Sequence, residues 1–135
     1  MANTSARIYV ERDKHSDFQQ LSQGVDAPFE QLTDVFVAAA AIGYRNGVKS
    51  PTIGPSQHVG FWHSLKNDTD IPLLQAIAIA ETDDIEVLSD SQRVLDIAQD
   101  YANAGIVLLV EKMGAEFEDS VVALSLEALK NLQSE

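Results

Sequence analysis

The chain has 135 residues, 45% of them apolar, no cysteine, and a net charge of −12. That length suits one ordinary domain with its own core. The missing cysteines exclude disulfides and thiolate metal sites, and no apolar run approaches the roughly 20 residues that a membrane-spanning helix needs. The charge is unevenly placed: residues 1–67 carry six acids and six bases, whereas residues 68–135 carry fifteen acids against Arg93, Lys112 and Lys130. A carboxylate-rich half repels phosphate backbones, so that half is read as a solvated outer surface, with a docking face for a basic protein or a DNA-mimicking surface as the alternative, rather than a nucleic-acid-binding face.

In chain order, residues 1–6 are expected to be disordered and 7–135 to form a single helical domain. The start lacks the apolar segment of a secretory signal, which points to a cytoplasmic protein. Arg7–Glu11 fits either a short strand or a first helical turn. Phe18 and Leu21, three apart ahead of Gly24, predict a short helix. Asp26 as cap and Pro28 in the first turn open the clearest helix, which carries Phe29, Leu32, Phe36, Ala40 and Gly43 on one face. Val35, Val37, Ala38, Ala39, Ala41 and Ile42 widen that face until little polar surface remains, so this Phe29–Tyr44 helix belongs at the centre of the molecule. Residues 48–70, punctuated by Pro51, Gly54, Pro55 and Gly60, read as one long irregular loop with at most a helical turn at Phe61–Leu65.

Asp70 and Pro72 start a short apolar helix through Leu73, Leu74, Ile77 and Ala78 to about Thr82. Ser89 with Gln92 has capping-box spacing and opens the next helix, Ser91–Met113. Ile106–Val110 fits a helix or a buried strand, with helix preferred because no partner strand is evident. Gly114 separates a last helix with Phe117, Val121, Leu124, Ala128 and Leu132 on one side. The expected fold is therefore all-α: a compact bundle of four to five helices around a buried, alanine-rich central helix, with one long irregular loop.

Three stretches resemble a known family: Pro28-Phe29 through Asp34-Val35-Phe36, Ala39-Ala40 and Gly43-Tyr44 to Gly47; Ala76-Ile77-Ala78-Ile79 with Glu81-Thr82; and Asp100-Tyr101-Ala102-Asn103-Ala104-Gly105. Together, over roughly residues 7–112, they resemble the protein 4 group associated with bacterial DNA phosphorothioation (Dnd) systems. Those systems place sulfur in the DNA backbone, and linked restriction modules attack DNA lacking the mark. The resemblance implies an accessory protein in antiviral defence. Its partners would be other proteins of a modification and restriction system, with DNA contacted only together with a partner. It supplies no catalytic residues.

Residue chemistry agrees with a binding role. No Gly-x-Ser-x-Gly elbow or phosphate-binding glycine loop is present, and no catalytic residue, metal ligand set or cofactor is assigned. His58 and His63, five apart with Asp68 or Asp70 nearby, leave a metal-dependent hydrolase as an alternative, although that spacing matches no metal motif. From Val35 to Asn67 there is no acid, while Arg45, Lys49 and Lys66 occur among Tyr44, His58, Phe61, Trp62 and His63. Tyr44, Arg45, Lys49, His58, Trp62 and Lys66 are therefore the expected contact surface for a partner or nucleic acid. A stand-alone DNA sensor or regulator is the other alternative. The helix after Asp84 makes a poor recognition helix, because Asp96 and Asp100 would face phosphates. Association of like chains through the alanine face also stays open.

Overall fold

The computed structural model describes residues 6–23, 27, 29–52 and 54–133, with those from 114 on described by their backbone alone. Four helices and a two-stranded antiparallel sheet make up these residues: β1 (Arg7–Glu11), α1 (His15–Ser22), α2 (Leu32–Arg45), β2 (Ser56–Phe61), α3 (Asp70–Thr82) and α4 (Ser91–Gln133). The sheet overturns the all-α expectation. It also overturns the long irregular loop, because β2 lies inside that stretch and pairs along β1 from Arg7↔Phe61 to Glu11↔Ser56.

Burial explains why β1 could be read as either a strand or a first helical turn, while β2 gave no strand signal at all. β1 alternates, with Ile8 and Val10 buried and Arg7, Tyr9 and Glu11 more open. Every residue of β2 is half-buried, so it lacks the apolar-in, polar-out contrast that marks a strand. The pairing also slips between Ile8 and Tyr9, where Gly60 and His58 are opposed and Val59 is the extra residue of a bulge. The second edge of β1 is closed by side chains of α4. The Gln92 amide exchanges two bonds of 3.0 Å with the Arg7 backbone, and Asn103 Oδ1 accepts from Glu11 N at 3.2 Å.

α2 occupies the centre, with Val35, Phe36, Ala39 and Ala40 fully buried. It begins at Leu32 rather than near Phe29, and its cap is Gln31: the Gln31 N–H donates to Asp34 Oδ2 at 3.2 Å in a reciprocal capping box. Asp26, Pro28, Gly24 and residues 1–5, to which expectations were attached, lie outside the described residues. Ala6 is buried, and its carbonyl accepts from Trp62 N.

The chief contact of α2 is with α4. The backbones approach so closely that a Cβ on Gly105 would stand 2.8 Å from the Ala39 carbonyl carbon and 2.9 Å from Gly43 N. A Cβ on Gly43 would be 3.0 Å from the Tyr101 carbonyl carbon. Gly105 is therefore a packing glycine and not a helix stop, and Ile106–Val110 is helical. α4 opens on Asp90, whose carboxylate accepts from Arg93 N at 3.1 Å, rather than on Ser89. It continues through Gly114 without the expected break. The side chains of Phe117, Val121, Leu124, Ala128 and Leu132 lie outside the described residues. No helix among the described residues is long and apolar enough to cross a membrane.

Candidate interaction surface

The expected contact residues do not all come together. Trp62, in a single 3₁₀ turn after β2, is only 6% exposed and belongs to the core. An indole beside an apolar helix gains more from burial than from facing water. Tyr44 and Arg45 are exposed at the end of α2, and Lys49 lies just beyond them. Lys66 is beside the opposite end of the same helix, where its Nζ is 3.2 Å from Asp34. Since α2 has 14 residues, the two ends are about 20 Å apart.

Nor does the acid-free stretch remain positive in three dimensions. Lys49 pairs with Glu81 and Lys66 with Asp34, so acids from outside the stretch neutralise both. Asp34 raises the Lys66 ammonium above its ordinary value. Among the described residues Arg45 makes no ion pair.

His58 and His63 both lean on Phe61, and that argues against a shared ion. The His58 ring meets Phe61 edge-on at 4.6 Å, while His63 stacks on it at 5.0 Å and 9°. His58 also touches Tyr9 edge-on at 5.6 Å, and its buried Nε2 has no hydrogen-bond partner. Arg7 lies over Phe61 at 5.8 Å. Among the described residues no group of three or more histidines and acids is placed to hold a metal. Asp70 is occupied in accepting from Lys66 N at 3.0 Å.

Two clusters escaped the sequence reading, although Tyr44, Glu81, Tyr101 and Asn103 among their residues lie in the stretches that carried the family resemblance. In the first, the Tyr101 hydroxyl donates to Glu81, which also holds Lys49, and Tyr44 meets the Tyr101 ring edge-on at 5.5 Å. Hydrogen bonds from Lys49 and Tyr101 pull the Glu81 carboxyl below its ordinary value, while the bond to Glu81 pushes the Tyr101 phenol up to about 12. Next to it, burial raises the Asp100 carboxyl. In the second cluster, fully buried Asn103 donates to Ser50 O at 3.2 Å and to Thr52 Oγ1 at 2.9 Å, besides accepting from β1. Both clusters tie elements together and have few free valences, which is the work of a scaffold.

A different surface is left uncovered. α2 and α3 run the same way, joined at their starts by Lys66–Asp34 and at their ends by Lys49–Glu81. Between their outer faces lies an open groove of about 490 Å³, floored by Val37, Ala38 and Ala41 and walled by Phe29 and Leu73. α3 contains one polar residue, Gln75, between Asp70 and Glu81. Its inner side buries Leu74, Ile77 and Ala78, yet Leu73, Ala76 and Ala80 on the outside are also apolar and exposed. The sequence shows the apolar character of α3 but not which of its sides is covered.

Fold and surface together define a small, mostly helical protein with a buried polar cluster at Asn103, a partly exposed one at Glu81 and an apolar helix face turned outward. The chain belongs to the DNA sulphur modification system-associated protein 4 family, whose model matches residues 7–135. The match extends through the end of α4, beyond the residues on which the resemblance was read. Neither the curated proteins nor the solved structures hold a match to the chain.

Proposed function

We propose that this chain is a non-enzymatic accessory subunit of a DNA sulphur modification system, working in defence by contact with the system's other proteins. Family membership supports the setting. The single observation that carries the mode of action is the outer face of α3, where Leu73 is 38% exposed in line with exposed Ala76 and Ala80. In a helix that ends its life facing water those positions are normally polar; apolar residues on both sides mark a helix covered on both sides. DNA enters this reading only through a partner, because the surface cations Lys49 and Lys66 are already paired with acids.

The test is co-expression of the full chain with each protein of such a system, followed by size-exclusion chromatography with light scattering. A stoichiometric complex with one of them is the expected result. If the chain elutes alone from every pairing at low salt, the reading is wrong. If it alone shifts a plain or sulfur-marked duplex, it is a nucleic-acid binder instead.

A further inference from the structure

The groove between α2 and α3 has a defined chemistry as well as a shape. Its floor, Val37, Ala38 and Ala41, carries side chains too short to fill it, so a second helix can lie close to α2 over Ala38 and Ala41. Leu73 forms one wall, half turned to water. At the end where both helices begin, three carboxylates gather, those of Glu30, Asp34 and Asp70, against the one ammonium of Lys66. All three act electrostatically on that ammonium, which places Glu30 in the same field as the other two.

The charges can be weighed. Lys66 cancels Asp34, with which it pairs. Two helix N-termini offer roughly half a positive charge each, enough to offset about one more carboxylate. About one negative charge is left at this end of an apolar trough. A second copy of the chain is a poor occupant, because a molecule of net charge −12 repels itself and the sequence after residue 113 is again rich in acids.

Building on the protein-contact reading above, we infer that the groove seats an apolar, helix-forming segment of another protein, with a lysine or arginine at the end that meets Glu30. Its aliphatic side chains lie over Ala38, Ala41 and Leu73 in the helix-in-groove manner.

Two synthetic peptides of about 18 residues, enough for a helix of roughly 27 Å, probe this directly. They share one leucine–alanine face and differ only in ending with two lysines or two glutamates. Each is titrated into the ¹⁵N-labelled full chain. The lysine peptide should shift the amides of Ala38, Ala41 and Leu73 and bind at least about fivefold more tightly than the glutamate peptide. Glu30→Lys should erase that preference, and Ala41→Arg should abolish binding. Leu73→Glu, at an exposed position, serves if Ala41→Arg loses its helical circular dichroism. Equal binding of both peptides, shifts outside the groove, or binding that survives a groove variant with intact helicity overturns the inference. So does concentration-dependent dimerisation that Ala41→Arg abolishes, since the occupant would then be a second copy. A complex with a system protein that forms unchanged with Ala41→Arg removes the groove but leaves the accessory role standing, whereas failure of the wild-type chain to form any such complex removes the role.

Discussion

Replacing Gly105 by alanine isolates the contact on which the core depends. In an isolated helix the change would help, by about 0.8–1 kcal/mol, because alanine is the better helix former. Here the new Cβ would stand 2.8 Å from the Ala39 carbonyl carbon and 2.9 Å from Gly43 N, and closer still to the Ala39 carbonyl oxygen. Comfortable carbon contacts lie at about 3.5–4.0 Å, so α2 and α4 must part by on the order of 1 Å. A gap of that size forfeits roughly a quarter to a half of each dispersion contact along the crossing. No rotamer change can relieve it, because backbone meets backbone. Overpacking of this kind costs about 3 kcal/mol, the upper part of its usual range, leaving a net loss of about 2 kcal/mol. With an unfolding entropy of about 2.1 cal/mol/K per residue over 135 residues, Tm should fall by roughly 7 °C. Thermal melting followed by circular dichroism measures it. A Tm unchanged or raised would mean that helix propensity decides at this site and the close crossing is wrong.

Other perturbations read other parts of the structure. Trp62→Ala empties a core position and should cost about 3–5 kcal/mol, so chemical denaturation should show a lower midpoint before any binding is assayed; a stable, well-folded variant would return Trp62 to the surface. Asn103→Leu strips the Glu11 N–H and the Ser50 carbonyl of their partner, leaves the Thr52 hydroxyl with Gln99 alone, and should destabilise the chain by about 3 kcal/mol in the same assay; a loss under about 0.5 kcal/mol would show that network to be dispensable. The Tyr101 phenol, ordinarily 10.0 and raised to about 12 in the fold, ionises earlier in the unfolded chain. The stability this represents is whole below pH 10 and is lost as pH rises through about 12. Phenolate absorbance should therefore show one tyrosine titrating late, and Tyr101→Phe should remove that late step. Glu81 works in the opposite sense: its lowered pKa gives stability that is present above 4.5 and lost as pH falls through the folded value. An acid-unfolding curve that Glu81→Gln leaves unmoved would argue against that bond.

How legible the site was differs from residue to residue. The five-residue spacing of His58 and His63 matches no metal motif, and in three dimensions both rings pack against Phe61. The cationic stretch misled because charge along a chain is not charge in space. Glu81 lies 32 residues beyond Lys49, and Asp34 immediately precedes the acid-free run, yet folding brings each to its lysine. Tyr101 and Asn103 carried no chemical signature in sequence, since a phenol and an amide inside a helix become clusters only when partners arrive from other elements.

By itself the sequence determined that α2 would be central, since a helix with valine, phenylalanine and alanine on nearly every side has no stable place at a surface. It also indicated α1 and α3 through local periodicity and turn residues, and allowed at most a helical turn at Phe61–Leu65, where a 3₁₀ turn spans Trp62–Ser64. The sheet was decided by tertiary structure alone: a strand that is half-buried throughout has no periodic signal, and β2 exists because β1 lies beside it. Likewise one dimension leaves open whether the helix ends at Gly105 or runs through it, with helix preferred, and only the arrival of Ala39 and Gly43 shows why a side chain is missing there.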